Sequence, residues 1–187
     1  MSGEAASLSR HPRPIIPNAQ LGTLLFIGSE TVLVACLIST YIVLRLAAPA
    51  WPPPGTPTLH IGLAAFAAWV LIVSAITARV SNSAKSLGAA RSSLFATLIF
   101  GIVFLALQTV ELRRLFDRGL TPESGAFGAL FYGLIGIHAL HVIGGLLFMT
   151  VLIFSGADFR GRAEGLPLYW YFVTTAWLAL FGILYIV

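Results

Sequence analysis

Residues Leu21 to Leu44, LGTLLFIGSETVLVACLISTYIVL, form an almost unbroken apolar run with one carboxylate, Glu30, inside it. A helix of about 24 residues at ~1.5 Å rise is long enough to cross a hydrocarbon core of ~30 Å. An ionisable group at that depth is unfavourable by several kcal/mol unless it finds a partner or is protonated. Glu30 therefore has a task, or another part of the chain hides it.

Four more apolar runs follow, and composition decides how to treat them. Only 10% of the 187 residues are charged, against roughly 25% in a soluble domain. The chain is thus expected to be an all-α membrane protein, a bundle of five transmembrane helices over about 21–45, 59–80, 94–112, 127–154 and 168–187. Residues 1–20, with three prolines and two arginines, read as an irregular tail, leaving 21–187 as a single transmembrane domain. The first run is far longer than the 7–15 apolar residues of a secretory signal. The loop LAAPAWPPPGTPTL cannot be helical, because proline lacks the N–H donor and clashes with the preceding turn. Trp51 at its centre suits a membrane interface.

A net charge of +4 could suggest nucleic acid. The basic residues instead lie in the segments flanking the helices, where they set orientation. Arg10, Arg13, Arg79, Lys85, Arg91, Arg160 and Arg162 fall on one side, and Arg45, Arg113, Arg114 and Arg118 on the other. Seven against four predicts a cytoplasmic N-terminus and a C-terminus outside. Cys36, the single cysteine, excludes an intramolecular disulfide.

On a 3.6-residue period Thr23, Glu30, Val34, Leu37 and Tyr41 share one face of the first helix. The fourth run, GALFYGLIGIHALHVIGGLLFMTVLIF, carries His138 and His141, three apart and hence neighbours on one face. Counted along their helices, Glu30 lies ~14 Å in and the histidines ~17–21 Å in from the opposite surface, so both reach mid-membrane. A hydrogen bond from Glu30 to one of these histidines would satisfy both groups. The pair could be purely structural or could serve a proton or substrate path. A metal or haem site is disfavoured, because there is no cysteine pair and no Glu-x-x-His motif.

Gln108 and Glu111, three apart beside Arg113 and Arg114, read as a solvated polar cluster on the outer side. Tyr169, Trp170 and Tyr171 read as an aromatic anchor at the inner end of the last helix. No phosphate-cradling loop or nucleophile–base pair occurs, so no catalytic residues are assigned.

At these residues the sequence resembles subunit III of the haem-copper oxidases, in its bacterial five-helix form. FIGSETVLVACLISTYIVLR is similar to the family's first retained helix, and WPPPGTP to its Trp-Pro-Pro loop. Phe104 with Gln108 and Glu111 resembles the Phe…Gln-x-x-Glu segment. Gly136-Ile-His138-Ala-Leu-His141-Val-Ile-Gly144 resembles the Gly-x-His-x-x-His-Val-x-x-Gly pattern. Tyr169-Trp170-Tyr171-Phe172-Val173 with Trp177 is similar to the terminal aromatic segment, except that Tyr171 and Thr174 stand where the family usually has His and Asp.

The resemblance implies a multi-pass subunit of a respiratory terminal oxidase in the bacterial inner (plasma) membrane. Such a complex reduces oxygen to water and translocates protons. Haem and copper are expected in subunit I, with none in this chain, and the chain would pack on subunit I near subunit II. Its implied roles are to bind phospholipid and to support proton uptake and sustained turnover. The resemblance makes Glu30 and the two histidines the family's intramembrane polar residues. A subunit III-like partner of a nitric oxide reductase is the alternative, and a small independent proton-coupled transporter the third. A transporter would be expected to show repeats or broken helices, and the sequence shows neither.

Overall fold

The computed structural model describes residues 18–154, 163 and 165–186. The expected tail, apart from its last three residues, and most of the loop before the last helix lie outside the described residues. Among the described residues the chain is all-helical. It contains α1 (Asn18–Ala47), α2 (Ile61–Ser83), α3 (Leu87–Asp117), α4 (Ala126–Phe154) and α5 (Leu166–Phe181), the last continued by a π-helical turn, Gly182–Ile186. Five helical segments among the described residues are long and apolar enough to cross a membrane.

α2 and α3 form a tight antiparallel hairpin, joined by three residues. Most of the stretch SNSAKSLGAARSS, which reads as a loop, is helical. Ser86 caps α3 by accepting from the Ala89 N–H at 3.2 Å, satisfying a donor that the first turn leaves open. Along the hairpin, hydroxyls bond across the helices. Ser81 Oγ donates to the Ala90 carbonyl (2.7 Å), Ser74 Oγ to the Thr97 carbonyl (3.0 Å), and Thr77 and Thr97 share a bond of 2.8 Å. In lipid, where apolar burial drives little association, such bonds and close packing hold helices together.

α3 also outruns its expected end at 112. It stops at a glycine cap: Leu120 N–H reaches the Leu115 carbonyl (3.0 Å) and Gly119 N–H the Phe116 carbonyl (3.0 Å), with Gly119 at φ +92°. That 6→1 and 5→2 pairing closes the last turn. Tyr132 of α4 donates to the Leu120 carbonyl at 2.8 Å, tying the cap to the next helix.

α5 packs against α2, α4 and α1, and starts with a proline in its first turn. Trp170 and Trp177 are fully buried, which corrects the interfacial anchor expected of Trp170. Trp170 donates from Nε1 to Ser74 Oγ (3.0 Å), and its ring edge lies over Gly101 and Gly145, where no side chain intervenes. α1 is peripheral, with Tyr41 its one buried residue among those described. Trp51 joins α1 to the bundle by donating to Tyr41 Oη (2.9 Å) while its ring meets Phe127.

Candidate functional site

The less exposed side chains of α1 are Gln20, Thr23, Ile27, Glu30, Val34, Leu37, Ile38, Tyr41 and Arg45, near one face of the helix. That face looks towards α4 and α5. Glu30 Oε2 lies 2.8 Å from His141 Nε2. The other ring nitrogen, Nδ1, lies 2.8 Å from the carbonyl of Ile137, one turn back in α4.

A carbonyl only accepts, so Nδ1 carries a proton. One further proton then lies between Nε2 and Glu30. It sits on the carboxyl, which donates to a neutral imidazole, or on the imidazole, which donates to a carboxylate. Both arrangements are net neutral, and a net-neutral pair is the form least penalised at membrane depth.

α5 completes the surroundings. Tyr169 Oη donates to the His141 backbone carbonyl (2.7 Å), and its ring rests against Phe26 of α1 (centroids 6.1 Å). Phe172 meets the His141 ring edge-on at 6.2 Å. The pair is not sealed. His141 and Glu30 keep 15% and 20% of their side-chain surface exposed at the outside of the bundle.

His138 takes no part in this pair. Three residues back on α4 it is turned by ~60°, enough to aim it into the bundle rather than at α1. There it stacks on Trp177 (5.3 Å) and meets the edge of Phe104 (5.8 Å). The histidines share a helix face in the sequence but serve different neighbours.

Gln108 and Glu111 are not a solvated surface cluster. They are 4% and 2% exposed, and the Glu111 carboxylate accepts the His60 backbone N–H at 3.2 Å. The reason is the length of α3. Its glycine cap comes eight residues beyond Glu111, so this face still turns into the bundle while Arg113 and Arg114 point outward. Thr174, at a position where the resemblance leads one to expect Asp, donates to the Trp170 carbonyl of its own helix (2.8 Å). Among the described residues no three of His, Cys, Asp and Glu come together to hold a metal ion. Neither Tyr169 as the clamp on His141 nor Ser74 as the partner of Trp170 was visible in the sequence, which shows a hydroxyl but not where it points.

Comparison with known proteins adds what the geometry lacks. The family description that matches residues 1–187 is Cytochrome c oxidase subunit III. The chain belongs to this family. A probable cytochrome c oxidase subunit 3 of Nocardia farcinica is 35% identical, over 91% of this chain and 89% of the relative. The cytochrome c oxidase subunit 3 of Bacillus subtilis is 32% identical, over 90% and 86%. The cytochrome bo(3) ubiquinol oxidase subunit 3 of Pseudomonas aeruginosa is 30% identical, over 90% and 85%. The chain is therefore a multi-pass membrane protein and a subunit III of a haem-copper oxidase, which associates with other oxidase subunits.

Proposed function

We propose that this subunit III packs on the haem- and copper-bearing subunit I, with subunit II nearby, in a bacterial inner membrane. There it does no redox chemistry of its own and supports the stability and proton uptake of the catalytic subunit. The observation that carries this reading is the Glu30–His141 pair, a neutral polar pair at membrane depth that opens to the outside of the chain. Lipid tails offer such a pair no hydrogen bond, whereas a partner subunit does. The lysine and arginine distribution supports a cytoplasmic N-terminus and an external C-terminus.

Phospholipid is a second expected partner. A hollow of about 400 Å³ is lined by Thr109, Leu112, Arg113, Phe116, Asp117 and Tyr132. It sets Arg113 and Asp117 beside apolar walls, charged groups for a zwitterionic headgroup and a lining for its acyl chain. The named relatives are subunits of oxidases, one of them a ubiquinol oxidase, which favours an oxygen-reducing complex over a nitric oxide reductase.

Affinity purification of the tagged chain in mild detergent tests the proposal. The expected product is a coloured complex that contains haem and copper and consumes oxygen. A lone, colourless oligomer recovered under conditions that keep other respiratory complexes intact would overturn it.

A further inference from the structure

Buried side-chain atoms that find no hydrogen-bond partner among the described residues gather in one region. They include Gln108 Nε2, Glu111 Oε2, His138 Nε2, Trp177 Nε1 and Tyr185 Oη, on residues that are 0–7% exposed. Gln108 and Glu111 belong to α3, His138 to α4, and Trp177 and Tyr185 to α5 and its π turn. A buried polar atom without a partner is costly, and most such atoms in proteins bond to protein or to internal water.

These atoms are arranged in two layers. In the inner layer Phe104, His138 and Trp177 touch one another in all three pairs, with ring centroids 5.0–5.8 Å apart. In the outer layer Glu111 lies near the Tyr185 hydroxyl, and the Gln108 amide reaches that hydroxyl only through a contact too long or too bent to satisfy either atom; Phe131 closes the side against Tyr185 (6.1 Å). From one layer to the other is four to seven residues on α3, or ~6–10 Å of helix rise.

Two features of the backbone shape the seam. α3 and α5 do not pack closely backbone to backbone, and side chains fill the space between them. The π turn then sets the position of Tyr185. Eight residues on from Trp177, an ideal α-helix would turn Tyr185 ~80° away from it. The wider turn rotates each residue less and returns the phenol to the face that meets Glu111.

We propose that an internal water site of one or two molecules fills this seam, bonded by Glu111, Gln108 and Tyr185 at its outer end and by Trp177 and His138 at its inner end. The ligand is water rather than a side chain of a partner subunit, because this chain itself covers all five atoms. The seam ends on His138, three residues from the histidine that holds Glu30.

Pulsed X-ray footprinting of the intact purified oxidase in ¹⁸O-labelled water tests the site, since radicals born in bound water oxidise the residues beside it. Trp170 is an internal control. It is as buried as Trp177, but its Nε1 is satisfied by Ser74. Trp177 is expected to take up label severalfold faster than Trp170, with Tyr185 labelled alongside it. Equal labelling of the two tryptophans, whether low or high, would overturn the site. In a complex that carries Gln108→Met, which keeps the volume and removes the amide, Trp177 labelling is expected to fall towards that of Trp170. Undiminished labelling there would also refute the assignment. The comparison within the unmutated complex stands even if that variant fails to assemble.

Discussion

Gly145→Ala is a one-carbon test of how α5 is locked into the bundle. The added Cβ would lie 2.6 Å from Trp170 Cζ3, 3.0 Å from Trp170 Cε3 and 3.0 Å from Tyr169 Cε1. Carbon atoms sit best at ~3.5–4.0 Å, so an overlap of about 1 Å has to be relieved. Trp170 cannot retreat freely. Its ring is fully buried and its other edge faces the backbone at Gly101, too near to admit even a Cβ there without crowding, so little space lies behind it. A shift of about 1 Å would also stretch the 3.0 Å bond to Ser74 beyond hydrogen-bonding length.

Three quantities set the size of the effect. Alanine in place of glycine favours the helix by about 1 kcal/mol. Overpacking costs about 1–3 kcal/mol, and an interhelical bond in a membrane protein is worth about 0.6 kcal/mol. The net expectation is destabilisation by about 0.6–2.6 kcal/mol. Gly136→Ala on the same helix is the control, since its Cβ meets nothing within 4 Å and the variant gains about 0.5–1 kcal/mol. Titration of the purified chain from mild detergent into SDS, followed by tryptophan fluorescence, measures both. If Gly145→Ala proves as stable as Gly136→Ala, Trp170 is not the wedge described here. Tyr169 offers a second readout. The same methyl presses on the ring whose hydroxyl holds His141 in place, so damage should extend to the Glu30 pair.

Four other outcomes follow from the same contacts. A double-mutant cycle of Glu30→Gln and His141→Gln should show coupling of about 0.6–2 kcal/mol in the SDS titration, and additive effects would mean that the 2.8 Å contact carries no energy. In the assembled oxidase, Glu30→Ala should leave initial oxygen consumption near normal and shorten activity over repeated turnover; immediate total loss in a complete complex would contradict a supporting role. Ser74→Ala strands the buried Trp170 N–H and should cost about 1–3 kcal/mol, whereas Ser39→Ala on exposed α1 should be nearly silent in the same titration. Protease added to intact spheroplasts should remove an epitope fused after Val187, and protection of that epitope would reverse the proposed orientation.

The helix count was legible because apolar runs of membrane length leave few alternatives. Helix ends were less so. Lys85, Arg91, Arg113, Arg114 and Asp117 mark the polar surroundings at the membrane boundary, and a hydropathy reading stops there although the backbone does not. The signals that locate the ends of α3 are local chemistry instead: Ser86 as a cap and Gly119 as a left-handed stop. Depth arithmetic brought Glu30 to the level of the two histidines, because rise per residue is fixed. It could not choose between them. α4 is apolar nearly all round, so its sequence does not reveal which side meets α1 and which meets α3 and α5. Gln108 and Glu111 failed for a related reason, since adjacent arginines made a buried face look like a wet one.

The attachment of α1 shows why a carboxylate belongs in so apolar a helix. Most of its large apolar residues face outward, including Leu25, Val32, Val43 and Leu46 at 62–80% exposure. In lipid those contacts contribute little to holding α1 on the bundle, because hydrocarbon tails satisfy them equally well. What lipid cannot replace is polar or closely aromatic contact. Such contacts of α1 include Tyr41 with Trp51 near one end, and Glu30 with His141 further in, beside Phe26 on Tyr169. Two separated fastenings fix both the rotation and the depth of a helix that apolar packing alone would leave free to slide. Glu30 supplies the one of these that lies deep in the membrane. The pair is net neutral whichever atom holds the shared proton, so it can do this without burying a net charge.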